Sequence, residues 1–228
     1  MAGEVSAAMR FKDASEAGVA LAAKLGGTGV ARGGGTAVVI AVARGGVGVG
    51  LEVARRLNLR FDVLLLRRLL AARGPLRPGC VASVAGSRHV DEEVAAALAR
   101  ESEEPALHAF LASALAEFDS QASACRGGRP ALRLAGRTVV LVDNGVRTGS
   151  TMLAALRALR STSPSRVVAA APVADAPALA EVSAAADEFV CLATPAPFGH
   201  VGLWYADFRR PSDDDIRSAL DEMTKPEA

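Results

Sequence analysis

Thr148, Gly149, Ser150 and Thr151 stand in succession where an apolar run gives way to a helix start. Hydroxyls and backbone N–H groups gathered at a helix N-terminus form a natural seat for a phosphate. Asp143 lies just upstream, where a carboxylate could hold sugar hydroxyls or a phosphate-bound metal. Arg147 adds positive charge beside the seat. The plainer alternative for this stretch is a strand–turn–helix junction with a Gly-rich turn. No nucleophile-and-base pair is visible elsewhere, which disfavours a hydrolase acting on a phosphosugar.

Ala43-Arg44-Gly45-Gly46 forms a second candidate loop. Two glycines let the backbone approach a ligand closely, and the planar fork of Arg44 can pair with a diphosphate. Taken alone, this is equally a tight turn with a solvated arginine. The run Gly45 to Gly50 does not have the G-x-G-x-x-G spacing, and no acid ends the strand at Leu66, so a dinucleotide fingerprint is rejected.

Both loops need strands to position them. Thr138 to Val142 and Ala37 to Val42 are short, β-branched apolar runs that suit buried parallel strands. Asp62 to Leu66, Arg166 to Val173 and Glu188 to Leu192 read as further strands. Helices are expected at Asp13 to Leu25, Gly46 to Leu57, Asp91 to Arg100, Ala106 to Phe118, Ser150 to Arg160 and Pro177 to Ala186. Alternating units of this kind predict an α/β fold, a parallel sheet flanked by helices. Both loops then fall at the carboxyl edge of the sheet, where open α/β sheets bind ligands. The stretch Ala71 to Arg133 lacks strong strand signals and is expected to form a small hood or cap over that edge within a single domain spanning 1–228.

Composition narrows the function further. The chain has 228 residues, half of them hydrophobic, which supports one substantial core; aromatics are only 4%, so Ala, Val and Leu must do the packing. A net charge of +1 gives no support for nucleic-acid or membrane-surface binding. No apolar stretch approaches a membrane span and no basic-then-apolar export signal opens the chain, so a soluble cytoplasmic protein is expected. Cys80, Cys125 and Cys191 lack pairing or metal spacing, and His89, His108 and His200 form no ligand cluster. Trp204 and Tyr205, each the single residue of its type, either pack the C-terminal segment onto the sheet or offer a stacking wall for a planar acceptor. Ser212 with Asp215 looks like a helix capping box with Asp in place of Glu.

The segment from Thr138 to Met152 resembles the 5-phosphoribosyl-1-diphosphate (PRPP) loop of the type I phosphoribosyltransferases. That pattern is an apolar strand, two acidic residues, a few small residues, then T-G-x-[ST]. Asp143, Gly145, Thr148, Gly149, Ser150 and Thr151 match; Asn144 stands where a second carboxylate is usual, and Arg147 where a small residue is usual. The chain is also similar to a bacterial subgroup of that family. Ala43 to Val47, Glu52 to Leu57, Leu66 to Arg68, Val201 to Phe208 and Ser212 to Asp215 look like its segments, and the match is weakest between Leu70 and Arg133.

The resemblance implies a Mg²⁺-dependent glycosyltransferase that moves a 5-phosphoribosyl group from PRPP to a small-molecule nitrogen or oxygen acceptor and releases diphosphate. Arg147, Thr148, Gly149, Ser150 and Thr151 would hold the 5-phosphate. Arg44, Gly45 and Gly46 would hold the diphosphate. Asp143, Asn144, Arg44 and Arg68 would be catalytic, with Mg²⁺ reached from Asp143 indirectly through ribose hydroxyls or water. An amide at Asn144 implies reduced or altered turnover. The alternative is a non-catalytic PRPP or nucleotide sensor on the same fold, acting through a partner or as a homodimer.

Overall fold

The computed structural model describes residues 10–30, 37–69, 79–100 and 105–223. Seven strands form one sheet in the order β4-β3-β2-β1-β5-β6-β7. They are β1 (Val38–Ala43), β2 (Arg60–Leu69), β3 (Gly79–Val84), β4 (Ser87–Val90), β5 (Thr138–Val142), β6 (Arg166–Val173) and β7 (Glu188–Ala193). The five strands β2, β1, β5, β6 and β7 run parallel; β3 and β4 are antiparallel additions at one edge.

Among the described residues seven α-helices cover the sheet: α1 (Ala14–Gly26), α2 (Val47–Leu57), α3 (Glu92–Ala99), α4 (Pro105–Arg126), α5 (Ser150–Arg160), α6 (Ala176–Ala185) and α7 (Asp213–Met223). Because strand side chains alternate between faces, β1 and β5 feed two cores. Val39, Ala41, Val140 and Val142 join Leu21, Val53, Leu111 and Ile216 on the face of α1, α2, α4 and α7. Val38, Ile40, Val139 and Leu141 join Met152, Leu156 and Val182 on the face of α5 and α6. Strands buried on both faces read as unbroken apolar runs, which is why these two were conspicuous in the sequence.

The segment expected to lack strands carries two. Residues 71–78 and 101–104 of it lie outside the described residues. The remainder opens with β3 and β4, which extend the sheet beyond β2 through the register Arg68 opposite Cys80 and Ala82 opposite His89. Their connection is Ala85-Gly86, both at positive φ (52° and 76°), the backbone of a two-residue hairpin turn whose usual signature is Asn-Gly or Asp-Gly. Alanine in the first position hid it. Helix α4 runs eight residues past its expected end at Phe118, because its later inward positions are Ala122 and Cys125, small residues that give little periodic signal.

Candidate phosphate-binding site

Strands β1 and β5 are parallel neighbours, so the loops that follow them emerge side by side. After β5, Asp143 N–H donates to Ala170 O at 3.1 Å and Val146 N–H to Val173 O at 2.9 Å, which fixes the loop against β6. The chain then turns through Gly149 (φ +75°), the N-cap of α5, and no side chain caps that helix. The first-turn N–H groups of α5 therefore keep the unsatisfied donor character that attracts an anion. Thr148 Oγ1 and Ser150 Oγ stand 3.0 Å apart at the same corner. Arg68, at the carboxyl end of β2, reaches across and hydrogen-bonds Ser150 Oγ. A cavity of about 170 Å³ opens here, lined by Asp143, Arg147, Thr148, Gly149, Thr151 and Val201.

The loop after β1 comes against this one, backbone on backbone at Gly46 and against the Asn144 side chain at Gly45. A methyl group on Gly46 would lie 2.4 Å from Val142 O and 2.9 Å from Asp143 Cα. One on Gly45 would lie 2.9 Å from Asn144 Nδ2. Only glycine permits that approach. The Ala43–Arg44 peptide bond is cis. Arg44 pairs with Asp213 at the start of α7, at 2.7 Å. A larger cavity, about 730 Å³, lies beside β3, β4 and α5 and touches Cys80, His89 and Arg157. Size does not make it the site: the acid and the uncapped helix start line the smaller one, and the β1 loop packs behind Asp143 through Gly46.

Asp143 is buried, and burial pushes its carboxyl up to about 7, opposed by the hydrogen bond it accepts from Asn144 N–H at 2.8 Å. Among the described residues no cation pairs with it. The native state thus holds a proton that the unfolded chain releases near the ordinary value of 3.8. The stability this group contributes is fully present below about pH 4 and is lost as pH rises to about 7. Asp143→Asn is therefore expected to gain stability relative to the parent across that window and to hold a constant difference above it. Urea denaturation of both proteins across the window checks this; a difference independent of pH would show a carboxylate ionised throughout.

The sequence-derived residues thus come together in one place: Asp143, Asn144 and Arg147 to Thr151 on one loop, Arg44 to Gly46 on its neighbour, and Arg68 beside Ser150. Trp204 and Tyr205 require correction as stacking surfaces. Both are buried, at 4% and 2% exposure. Trp204 packs on Phe198 and donates its indole N–H to Phe198 O at 3.1 Å. Tyr205 lies between Phe11 and Phe208 and donates its hydroxyl to Asn144 O at 2.6 Å. Burial, and then the nearby charge of Asp143, raise the Tyr205 phenol far above its ordinary value, so it stays a donor. Its role is to brace the acidic loop from below.

Sequence reasoning missed two contributors. Asp213 was read as part of an acidic helix start, and the capping box does form, with Asp215 N–H donating to Ser212 Oγ at 3.1 Å and Ser212 N–H to Asp215 Oδ2 at 2.8 Å. Nothing local marks Asp213 as the partner of Arg44. Val201 closes the cavity over Gly145, where an added methyl would lie 2.7 Å from Val201 Cγ1. The V-G-x-W-Y segment was the available signal for that contact.

Comparison with known proteins agrees with this geometry. Residues 15–206 match the family model described as "Phosphoribosyl transferase domain". Crystalline TT1426 from Thermus thermophilus superposes with a TM-score of 0.77 at 37% identity, covering 95% of this chain and 100% of that one. The Mycobacterium tuberculosis H37Rv protein named "Putative phosphoribosyl transferase Rv0571c" is 36% identical over 214 residues, 92% of this chain. The chain spans 46% of that relative's length. With a mostly parallel sheet, an acid-then-T-G-S-T loop on β5 and a glycine loop on β1, this chain belongs to the phosphoribosyl transferase domain family.

Proposed function

We propose that this chain transfers a 5-phosphoribosyl group from PRPP to a small nitrogen or oxygen nucleophile and releases diphosphate. The observation that carries the reading is the apposition of an uncapped, hydroxyl-lined helix start with an arginine–glycine loop, Asp143 lying between them. In the reaction the bond from ribose C1 to the diphosphate oxygen breaks and its electron pair leaves with the diphosphate. The acceptor's lone pair forms the new bond to C1, and the acceptor's proton is lost to solvent. Positive charge grows on the sugar while negative charge grows on the leaving group, so the protein's work is positioning and charge stabilisation.

Thr148, Ser150, Thr151 and the α5 N–H groups would hold the 5-phosphate, with Arg68 and Arg147 adding positive charge. Asp143 would face the ribose hydroxyls, ionising as positive charge approaches. Arg44 and the Gly45–Gly46 backbone would take the diphosphate, for which Arg44 must exchange Asp213 for the ligand. A divalent ion fits this donor set: Mg²⁺ is commonly held by one or two carboxylates plus substrate phosphates, and Asp143 is a buried carboxyl with no cationic partner among the described residues. Mg²⁺ would neutralise charge on the diphosphate. For the acceptor we favour a cavity of about 360 Å³ beside Gly45 and Asn144, lined by Asp207, Phe208 and Arg209. Phe208 is 49% exposed and offers the stacking face that Trp204 and Tyr205 lack. A cytoplasmic setting agrees with three cysteines that are all unpaired.

Two observations favour a second reading, a PRPP sensor without turnover: Asn144 supplies no carboxylate charge, and Arg44 is already engaged by Asp213. Diphosphate release from PRPP and Mg²⁺ with a panel of bases and small aromatic acceptors separates the two. Release with any acceptor supports the transferase; saturable PRPP binding with no release supports the sensor; absence of PRPP binding removes both. Asn144→Asp supplies the missing carboxylate. A charged partner is worth roughly 1 kcal/mol more than a neutral one, and about 1.4 kcal/mol is tenfold in rate, so turnover is expected to rise by about fivefold. Unchanged or lower turnover would show the amide to be matched to its own acceptor.

A further inference from the structure

The opposite end of β2 holds a second cavity, about 460 Å³, between the start of that strand, the end of α4, the loop 129–133 and the last turns of α7. Six residues separate Asp62, which lines it, from Arg68 at the phosphate corner, roughly 20 Å along a strand. Four arginines line it: Arg60, Arg126, Arg129 and Arg133. So many guanidinium groups around one concavity repel one another unless acids or a ligand compensate them.

The nearby acids are already committed. Asp62 is buried; its Oδ1 accepts from Arg126 at 2.8 Å and from Val63 N–H at 2.7 Å, and its Oδ2 accepts from Leu132 N–H at 3.0 Å. Asp221 is paired with Arg129. Arg133 is exposed and has no ion-pair partner among the described residues. Arg126 is only 9% exposed, yet its Nε–H, fully shielded from solvent, has no acceptor. A buried donor left unbonded costs about 1–3 kcal/mol, and buried polar groups are nearly always satisfied. The Asp62 pairing gives Arg126 structure; its Nε–H is closed to solvent, so a ligand would meet this guanidinium only through the part that lines the cavity. The cavity's volume lies within the range of small-ligand sites, and guanidinium forks match phosphate oxygens in geometry and charge.

We propose that this cavity binds a small phosphorylated anion, with Arg126, Arg129 and Arg133 as its donors, at a site separate from the phosphate corner of α5. The enclosure by β2, α4 and α7 suits a free anion rather than a polymer backbone, which needs an open track.

Titration calorimetry with inorganic tripolyphosphate tests the proposal, using the Thr148→Ala/Ser150→Ala protein so that the α5 corner does not contribute. One saturable site per chain is expected. Arg133→Glu, a change at an exposed loop position that leaves the Asp62–Arg126 pair intact, is expected to weaken it at least tenfold. Lys24→Glu, the same charge change on α1, is expected to leave it unaltered. No saturable binding, undiminished binding in Arg133→Glu, or an equal loss in Lys24→Glu would each overturn the assignment.

Discussion

Alanine at both Thr148 and Ser150 is expected to weaken PRPP binding by about two to four orders of magnitude. Each hydroxyl would donate to a phosphate oxygen, and a hydrogen bond to a charged group contributes roughly 1.5–3 kcal/mol. Two such losses amount to about 3–6 kcal/mol, at about 1.4 kcal/mol per tenfold in affinity. The fold should be indifferent. Both side chains are exposed, neither caps α5, and their contacts are with each other and with the exposed Arg68. Titration calorimetry with PRPP and Mg²⁺, alongside a thermal melt, reads both quantities. An unchanged dissociation constant in a folded double variant would remove the phosphate corner and every role assigned around it.

Asp62→Ala is expected to have the largest effect on stability. Asp62 is buried at 3% exposure and Arg126 at 9%. Removing one partner of a buried ion pair leaves an uncompensated charge and costs about 3–5 kcal/mol. Here the Leu132 and Val63 N–H groups lose their acceptor as well. For a chain of this size each kcal/mol lowers the melting midpoint by about 2–4 °C, so a drop of about 6–20 °C should appear by calorimetry. The pair is distant from the PRPP corner, so affinity per folded molecule should be preserved. A loss below about 1 kcal/mol would mean that water reaches the pair and screens it.

What could be read from the chain alone follows physical range. Strands β1, β5 and β6 are buried on both faces, so their sequences are continuous apolar runs with one interpretation. Thr148 to Thr151 and Arg44 to Gly46 were legible because each follows such a run directly, and strand direction alone puts both at the carboxyl edge. The β3–β4 hairpin was not legible: it contains Gly79, Cys80, Ser83 and His89, and its turn uses Ala85 where an asparagine would have announced it. Tertiary pairings are the other blind spot. Arg44 finds Asp213, 169 positions away, and Tyr205 finds the Asn144 carbonyl. Local pattern carries no information about such contacts. It identified Trp204 and Tyr205 as unusual but could not tell a wall from a foundation.

The bare backbone contact at Gly46 limits how this scaffold can be diversified. Any side chain at Gly46 would wedge β1's loop away from the backbone of Val142 and Asp143, spoiling two ligand-facing surfaces with one change. Gly46 is therefore closed to tuning. New chemistry has to be written at Arg147 and Phe208, whose side chains are exposed, and at Asn144, whose side chain lies over Gly45 rather than against backbone. The two departures from the usual pattern, Asn144 and Arg147, occur among these positions, and the backbone contact at Gly46 is left untouched.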